Sequence, residues 1–386
     1  MTSSSKPLPL PLLVAGAAAF LTLGLLQAMY GPAFGLFERR YGVSVGSVGL
    51  IASAHFVGTA LAPLLVGALL ARFSVRFLVS VSLTVLAGGA LLVALAPSWP
   101  LAVLGALIGG LGAGGISGAL NSAYAALGTR AVNLVNAVFG VGSLLSPLLV
   151  AGLAANPGVG RAGLSFVVVA ACAALTLGAA RIWGLPTLGA PTRPAAAGRA
   201  GAQALLFALI VVCYTSLEVG LGAWADTHLR ALGLGAAAAP LVVSGYWGGL
   251  TVGRVLTGLF GARVAPERLV IGSTLLVLAC VLVATQAGAA VAAVAYVLAG
   301  LALAPIFGTT LAWMAGYLPT HWVAYLLVAG SVGGVIMPAL LGRLYAAYGS
   351  GALPWTFAAV AALTCAFSVL TRQVLARRTW ATQRRA

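Results

Sequence analysis

Acidic residues are nearly missing from this chain: four in 386, against twenty Lys and Arg, with all charged residues making up only 6%. Soluble globular domains carry about 25% charged residues. A chain that is 62% hydrophobic, with a mean hydropathy of +1.11, cannot build a water-exposed surface from such stock, so most of its surroundings must be lipid. Cysteine is scarce too. Cys172, Cys213, Cys280 and Cys365 stand far apart in apolar runs with no CxxC, which removes disulfide and zinc frameworks and leaves small buried hydrophobes. No GxxxxGK, no GxSxG and no His/Cys ligand cluster is present, so ATP-driven transport and hydrolysis both lack their parts. "GLGAGG" (Gly110–Gly115) fits GxGxxG but lies inside an apolar span with no preceding strand, which removes a dinucleotide site. The chain therefore reads as a non-enzyme with no cofactor. The net charge of +16 is spread singly or in pairs rather than on a basic face, which argues against nucleic acid.

What is present is a series of long uncharged stretches. A bilayer-spanning helix needs about 20 mostly apolar residues. Residues 7–37 and 41–71 each hold one span, 77–129 holds two split by "PSWP" at Pro97–Pro100, and 131–160 and 162–180 hold one each. A segment rich in Pro, Gly and Ala follows at Gly184–Gln203 and reads as a linker. Residues 200–229 hold the seventh span, 231–262 the eighth, 269–342 three more and 344–371 the last. The expected fold is an all-α membrane protein of twelve transmembrane helices in two six-helix bundles. Its expected divisions are residues 1–183, a cytoplasmic linker at 184–203, and 204–386 with a basic tail. The apolar N-terminal run, flanked by Lys6, reads as a retained first helix rather than a signal peptide.

Basic residues set orientation. With the N-terminus in the cytoplasm, fifteen fall inside (Lys6, Arg72, Arg76, Arg130, Arg181, Arg193, Arg199, Arg254, Arg263, Arg268 and the five of the tail) and five outside (Arg39, Arg40, Arg161, Arg230, Arg343). Both termini and the linker are thus expected in the cytoplasm, in a bacterial inner membrane.

The two halves are related by a shift of 191 residues. It lays "SAHFVGTALAPLLVGALLARFSVRFL" (Ser53) over "SGYWGGLTVGRVLTGLFGARVAPERL" (Ser244), and pairs Gly58 with Gly249, His55 with Tyr246 and Arg72 with Arg263. It also pairs "GSLLSP" (Gly142–Pro147) with "GGVIMP" (Gly333–Pro338), and Phe166 with Phe357. Ala, Gly and Leu matches cost little in so biased a chain, but matched Arg and Pro at one offset mark an internal duplication. The same shift sets "LLQAMYGPAFG" (Leu25) on "SLEVGLGAWAD" (Ser216), so Gln27 falls opposite Glu218. Equivalent helices of duplicated halves surround one axis, so these two polar residues are expected to share a cavity.

Twelve spans, a duplicated six-helix half and a cytoplasmic linker resemble the major facilitator superfamily. Several stretches resemble its fucose-permease-like group of fucose/galactose/glucose:proton symporters: "GGLGAGGISGALNSAYAALG" (Gly109–Gly128), "NLVNAVFGVGSLLSPLL" (Asn133–Leu149), "SLEVGLGAW", "SGYWGGLTVGRVLTG", "GLALAPIFGTTLA" (Gly300–Ala312) and "AGSVGGVIMPALLGRLYAAYG" (Ala329–Gly349). The resemblance implies alternating access, a sugar-like solute, protons and a monomer in the lipid. It also exposes departures. The acidic positions of the first and fourth helices in that group fall here on Gln27 or Ala28, and on Ser117, none of which titrates. The superfamily's acidic loop motif survives only as "GALLARFSVRF", with Ala71 at the aspartate position.

Glu218 is then the candidate proton-coupling group, because a mid-membrane acid is costly and usually faces a cavity or a partner. The alternative is a structural hydrogen bond to a neighbouring helix. His55 is a second proton candidate. Tyr214, Glu218 and Gly222 recur every four residues and share a helix face. Gln27, Asn121, Asn133 and Asn136 are neutral amides that both donate and accept, suited to hydroxyl-rich solutes or to joining helices. Trp224 and Trp247 offer rings for a sugar. Expected solute contacts are thus Gln27, Asn121, Asn136, Tyr214, Glu218, Trp224 and Trp247. Arg72, Arg76, Arg254 and Arg263 are expected at the gates, with Arg254 snorkelling or capping carbonyls. Two other readings stay open. One is an efflux transporter for apolar drugs or lipidic metabolites, or an uncoupled sugar facilitator; the other is a membrane-embedded sensor or scaffold that no longer transports.

Overall fold

A computed structural model describes residues 10–70, 72–127, 129–154, 162–183, 201–319 and 322–383. Lys6, Ala71, Arg161, Arg193, Arg199, Arg384, Arg385 and the linker up to residue 200 lie outside the described residues, as do the side chains of Arg130, Asn133 and Arg378. Every described regular element is helical. The chain divides into two compact units, Met1–Thr192 and Arg193–Ala386.

The first unit holds α1 (Leu10–Gln27), α2 (Tyr30–Tyr41), the single turn α3 (Val45–Val48), α4 (Leu50–Leu69), α5 (Val75–Leu95), α6 (Trp99–Leu127), α7 (Thr129–Ala154) and α8 (Ala162–Trp183). The second holds α9 (Ala202–Ala231), α10 (Ala238–Phe260), α11 (Pro266–Gln286), α12 (Ala289–Ala315), α13 (Trp322–Tyr348) and α14 (Ala352–Gln383). Ala202 and Gln203, expected in the linker, already belong to α9.

Ten described helices are long and apolar enough to cross a bilayer, and eleven if α1 and α2 make one bent span. The expected twelfth is α10. Its 23 residues rise about 35 Å at 1.5 Å each, but Ser244, Tyr246, Trp247 and Arg254 dilute its apolar content. Charge-free intervals also understate two helices: α13 runs on through Arg343 and α14 through Arg372 and Arg377. Exposed Leu61, Leu64 and Leu65 on α4, and Leu275 and Leu276 on α11, are what lipid-facing helices present. This is an integral membrane protein.

Local chemistry sets the helix ends. The Ser74 side chain accepts the Phe77 amide and caps α5, and Pro266 followed by Glu267 opens α11. After α9, Gly233 turns left-handed (φ 90°) while the Leu234 amide reaches back to the Leu229 carbonyl at 2.9 Å.

The duplication is visible as packing. In the first unit α6 packs on α4 and α5, α1 on α7, and α5 on α8; in the second α12 packs on α10 and α11, α9 on α13, and α11 on α14. Individual atoms follow the same offset. A Cβ on Gly142 would land on the Leu21 carbonyl and 3.0 Å from the Leu25 amide nitrogen. One on Gly333 would land on the Val212 carbonyl and 2.7 Å from the Ser216 nitrogen, each 191 residues further on. Likewise Gly110 sits against the His55 carbonyl and Gly300 against that of Tyr246, here 190 residues apart, so the repeat slips by one residue in the tenth span.

The halves differ where the site residues lie. α1 and α2 meet at a 49° bend over residues 28 and 29, whereas α9 runs unbroken for 30 residues. Pro32 explains the bend, since it lacks the amide that would bond to Ala28 and its ring crowds the preceding turn. The repeat puts Ala223 at that position in α9, and the helix continues.

Candidate functional site

The second unit gathers three of the expected solute contacts, Tyr214, Glu218 and Trp247, about Arg254 and its neighbours. Glu218 sits just past the middle of α9 and is buried. Its Oε1 accepts from the Arg254 guanidinium of α10 at 2.7 Å, and the same Arg254 nitrogen donates to the Tyr214 hydroxyl at 3.2 Å. One arginine thus spans two residues a turn apart on α9, so Tyr214 and Glu218 share a face as their spacing required. Tyr246 of α10 donates its hydroxyl to the Glu218 main-chain carbonyl at 2.9 Å, and Tyr214 stacks on Phe307 of α12 at 5.6 Å between centroids. One turn beyond Glu218, the bare Gly222 lets the Trp247 indole press against α9: a Cβ there would stand 2.6 Å from the ring. Trp247 is buried and its Nε1–H has no hydrogen-bond partner among the described residues. The cluster therefore offers a charge-neutral ion pair, a phenol and an unspent indole donor.

The geometry changes the expected part of Arg254. It neither snorkels nor caps carbonyls; it neutralises Glu218. Part of the signal lay in the sequence, because Arg254 is the sole charge within α10 and Glu218 the acid nearest the middle of α9, and opposite charges in an apolar bundle relieve each other's desolvation. Its 36-residue separation hid the pairing. The pair has no counterpart in the first half, where the repeat sets Gln27 and Pro63 at these positions.

Trp224 is placed elsewhere. It is fully buried, donates to the Pro338 carbonyl at 3.1 Å and stacks on Tyr345 of α13. Both the ring and its N–H are committed to joining α9 to α13, which corrects the expectation of a sugar platform.

In the first unit His55 is buried against Tyr30, whose hydroxyl lies 3.4 Å from Nδ1, and near Thr59 at 3.5 Å from Nε2. The Tyr30 partner was not expected; it stands beyond the bend after α1, where span counting has no reach. Gln27 is the last residue of α1, half-buried at that bend. Asn121 donates to Ser117 one turn back on α6 at 3.0 Å, and Asn136 is half-buried on α7. The remaining arginines lie at helix ends. Arg72 is exposed in the turn after α4, Arg76 reaches the Arg181 carbonyl at 3.4 Å, and Arg263 lies over the Phe260 ring at 5.2 Å.

Two helical units that repeat one packing plan are the kind of internal duplication found in secondary transporters. The chain belongs to the major facilitator superfamily, whose family model matches residues 16–324. Among solved structures, the fold matches a D-xylose-proton symporter (TM-score 0.78, 14% identity, covering 93% of this chain and 96% of that one). It also matches the nucleoside transporter NupG (TM-score 0.75, 13% identity, 94% and 99%). The E. coli fucose:proton symporter FucP follows the same fold (TM-score 0.66, 18% identity, 93% and 98%). At these identities the likeness is one of fold. Comparison with curated protein sequences finds no match.

Proposed function

We propose that this transporter moves a small neutral polar solute of the sugar class by alternating access, together with protons, and that Glu218 binds the proton. One observation carries the proposal: the sole ion pair joining two described helices is Glu218–Arg254. Protonating Glu218 removes the negative charge and leaves the Arg254 guanidinium with unspent donors in an apolar bundle, an expensive state. A hydroxyl-bearing solute accepts from those donors and relieves it. Proton and solute thereby act on one pair, which is the requirement for coupling.

Beside this pair, Tyr214 and Trp247 supply further hydroxyl and indole contacts; within the first unit, Gln27, Asn121 and Asn136 are the candidate amides for the solute. His55 is the second proton candidate; Arg72, Arg76 and Arg263 serve the cytoplasmic gate. Membership of the fucose-permease-like group, a monomeric state and an inner-membrane location with both termini cytoplasmic complete the reading. Relatives in fold named as xylose- and fucose-proton symporters support it. A second reading, an uncoupled facilitator, is favoured by the Arg254 guanidinium already neutralising Glu218.

The test is uptake of labelled hexoses into proteoliposomes with and without an inward proton gradient, comparing the native chain with Glu218→Gln. Coupling predicts that the gradient drives accumulation in the native chain and that the variant only equilibrates the sugar. Equal equilibration by both proteins makes the chain a facilitator. If no hexose moves, efflux of apolar compounds becomes the reading.

A further inference from the structure

The unused acid of the second unit is Asp226. It extends the stripe of α9 by two turns, so that Tyr214, Glu218, Gly222, Asp226 and Arg230 follow at four-residue intervals. Asp226 is buried. Its Oδ2 accepts from Arg230 Nε at 2.7 Å, and its Oδ1 is buried with no donor among the described residues. Arg230 also donates to the Ala236 carbonyl and keeps 38% of its side chain exposed, so the pair stands where α9 meets water. A carboxylate oxygen that is buried and undonated costs free energy in the charged form. A proton on Oδ1 cancels that charge without disturbing the Arg230 bond at Oδ2.

The way onward is also marked. Eight residues of helix separate Asp226 from Glu218, about 12 Å along the axis, with Gly222 midway. The space a side chain would take at Gly222 is filled by the Trp247 indole, whose N–H is unspent.

We infer that Asp226 is the outer proton-loading site for Glu218, and that the Trp247 indole seated on Gly222 separates the two acids until it moves. This rests on the proton-coupled reading above. A proton from outer water binds Asp226 Oδ1; when the indole shifts, water in its place passes that proton to the Glu218 carboxylate, leaving Asp226 charged again. Nothing is oxidised or reduced. Other titratable groups near this end of α9 are engaged or exposed. His228 Nδ1 lies 2.7 Å from the Tyr296 hydroxyl of α12, Tyr246 and Arg254 of α10 are bonded to Glu218, and Tyr345 of α13 stacks on Trp224. Arg343 and Tyr348 of α13 are exposed, and α14 carries no charged side chain before Arg372.

The experiment uses the full chain in proteoliposomes loaded with the pH dye pyranine, with labelled hexose outside. Asp226→Asn keeps an oxygen for Arg230 but cannot carry a proton; Asp226→Glu restores a titratable group. The inference expects Asp226→Asn to lose most hexose-induced proton influx and most acceleration by outside acid, while solute exchange at equal pH falls much less. Asp226→Glu is expected to regain the acid response. If Asp226→Asn responds to acid like the native chain, or if both variants lose exchange and acid response in equal proportion, the inference is overturned and Asp226 only ties down the end of α9. A native chain that shows no proton influx overturns the coupled reading, and this site with it. A native chain with influx that survives in Asp226→Asn removes this site alone.

Discussion

Replacing Arg254 by Met strikes directly at the pairing of α9 with α10. The change leaves Glu218 buried with no cation and removes the donor to Tyr214. Breaking a fully buried pair by deleting one partner costs about 3–5 kcal/mol. The side chain of Arg254 is 30% exposed and that of Glu218 11%, so water screens part of the loss and about 2–3 kcal/mol is expected. Removing both partners, as Glu218→Gln with Arg254→Met, leaves no uncompensated charge, and most of that loss should return. The chain's own thiols supply the assay. Cys280 is buried and Cys213 half-buried, so a thiol-reactive fluorophore reports unfolding as detergent-solubilised protein is heated. At about 2–4 °C per kcal/mol for chains of 150–250 residues, the single change should lower the midpoint by several degrees and the double change by clearly less. A single variant as stable as the native chain, or a double variant as weak as the single, refutes the assignment of Arg254 as the partner that makes Glu218 tolerable.

Three further outcomes follow from packing. Gly142→Ala and Gly333→Ala place a methyl on the backbone of α1 and α9 respectively, and both should abolish the monodisperse peak in size-exclusion chromatography; Gly88→Ala, with nothing within 4 Å, should be neutral or stabilise by up to about 1 kcal/mol through helix propensity. Gly222→Ala must displace the Trp247 indole, so it should change the near-ultraviolet circular dichroism and cost about 1–3 kcal/mol of stability through overpacking. Trp224→Phe removes the donor to the Pro338 carbonyl and should cost about 1 kcal/mol, while leaving the affinity for any transported hexose unchanged.

Span positions, the two-unit plan and the duplication were legible in the sequence because each is a local or linear property. Apolar length marks a helix that must satisfy its own backbone bonds in lipid. One offset carried Gly142 onto Gly333 and Pro147 onto Pro338, and the structure repeats the matching close contacts atom for atom. The clustering of Tyr214 and Glu218 was legible too, since both lie on one helix at a four-residue spacing.

Tertiary structure alone decided which helix each polar side chain meets. In water an amphipathic stripe identifies the packed face; in a bilayer the lipid-facing and core-facing sides are both apolar, and that signal vanishes. Hence Arg254 passed for a gate residue until α10 crossed α9 at the depth of Glu218, and Trp224 passed for a sugar platform until α13 brought the Pro338 carbonyl to it. His55 needed the bend after α1 to bring Tyr30 within reach. The sequence by itself determined a duplicated helical membrane carrier, for hydropathy and repetition are written along the chain. Which charges neutralise one another was decided by helix crossing and rotation, which are set by the interlocking of side chains that all look alike to lipid.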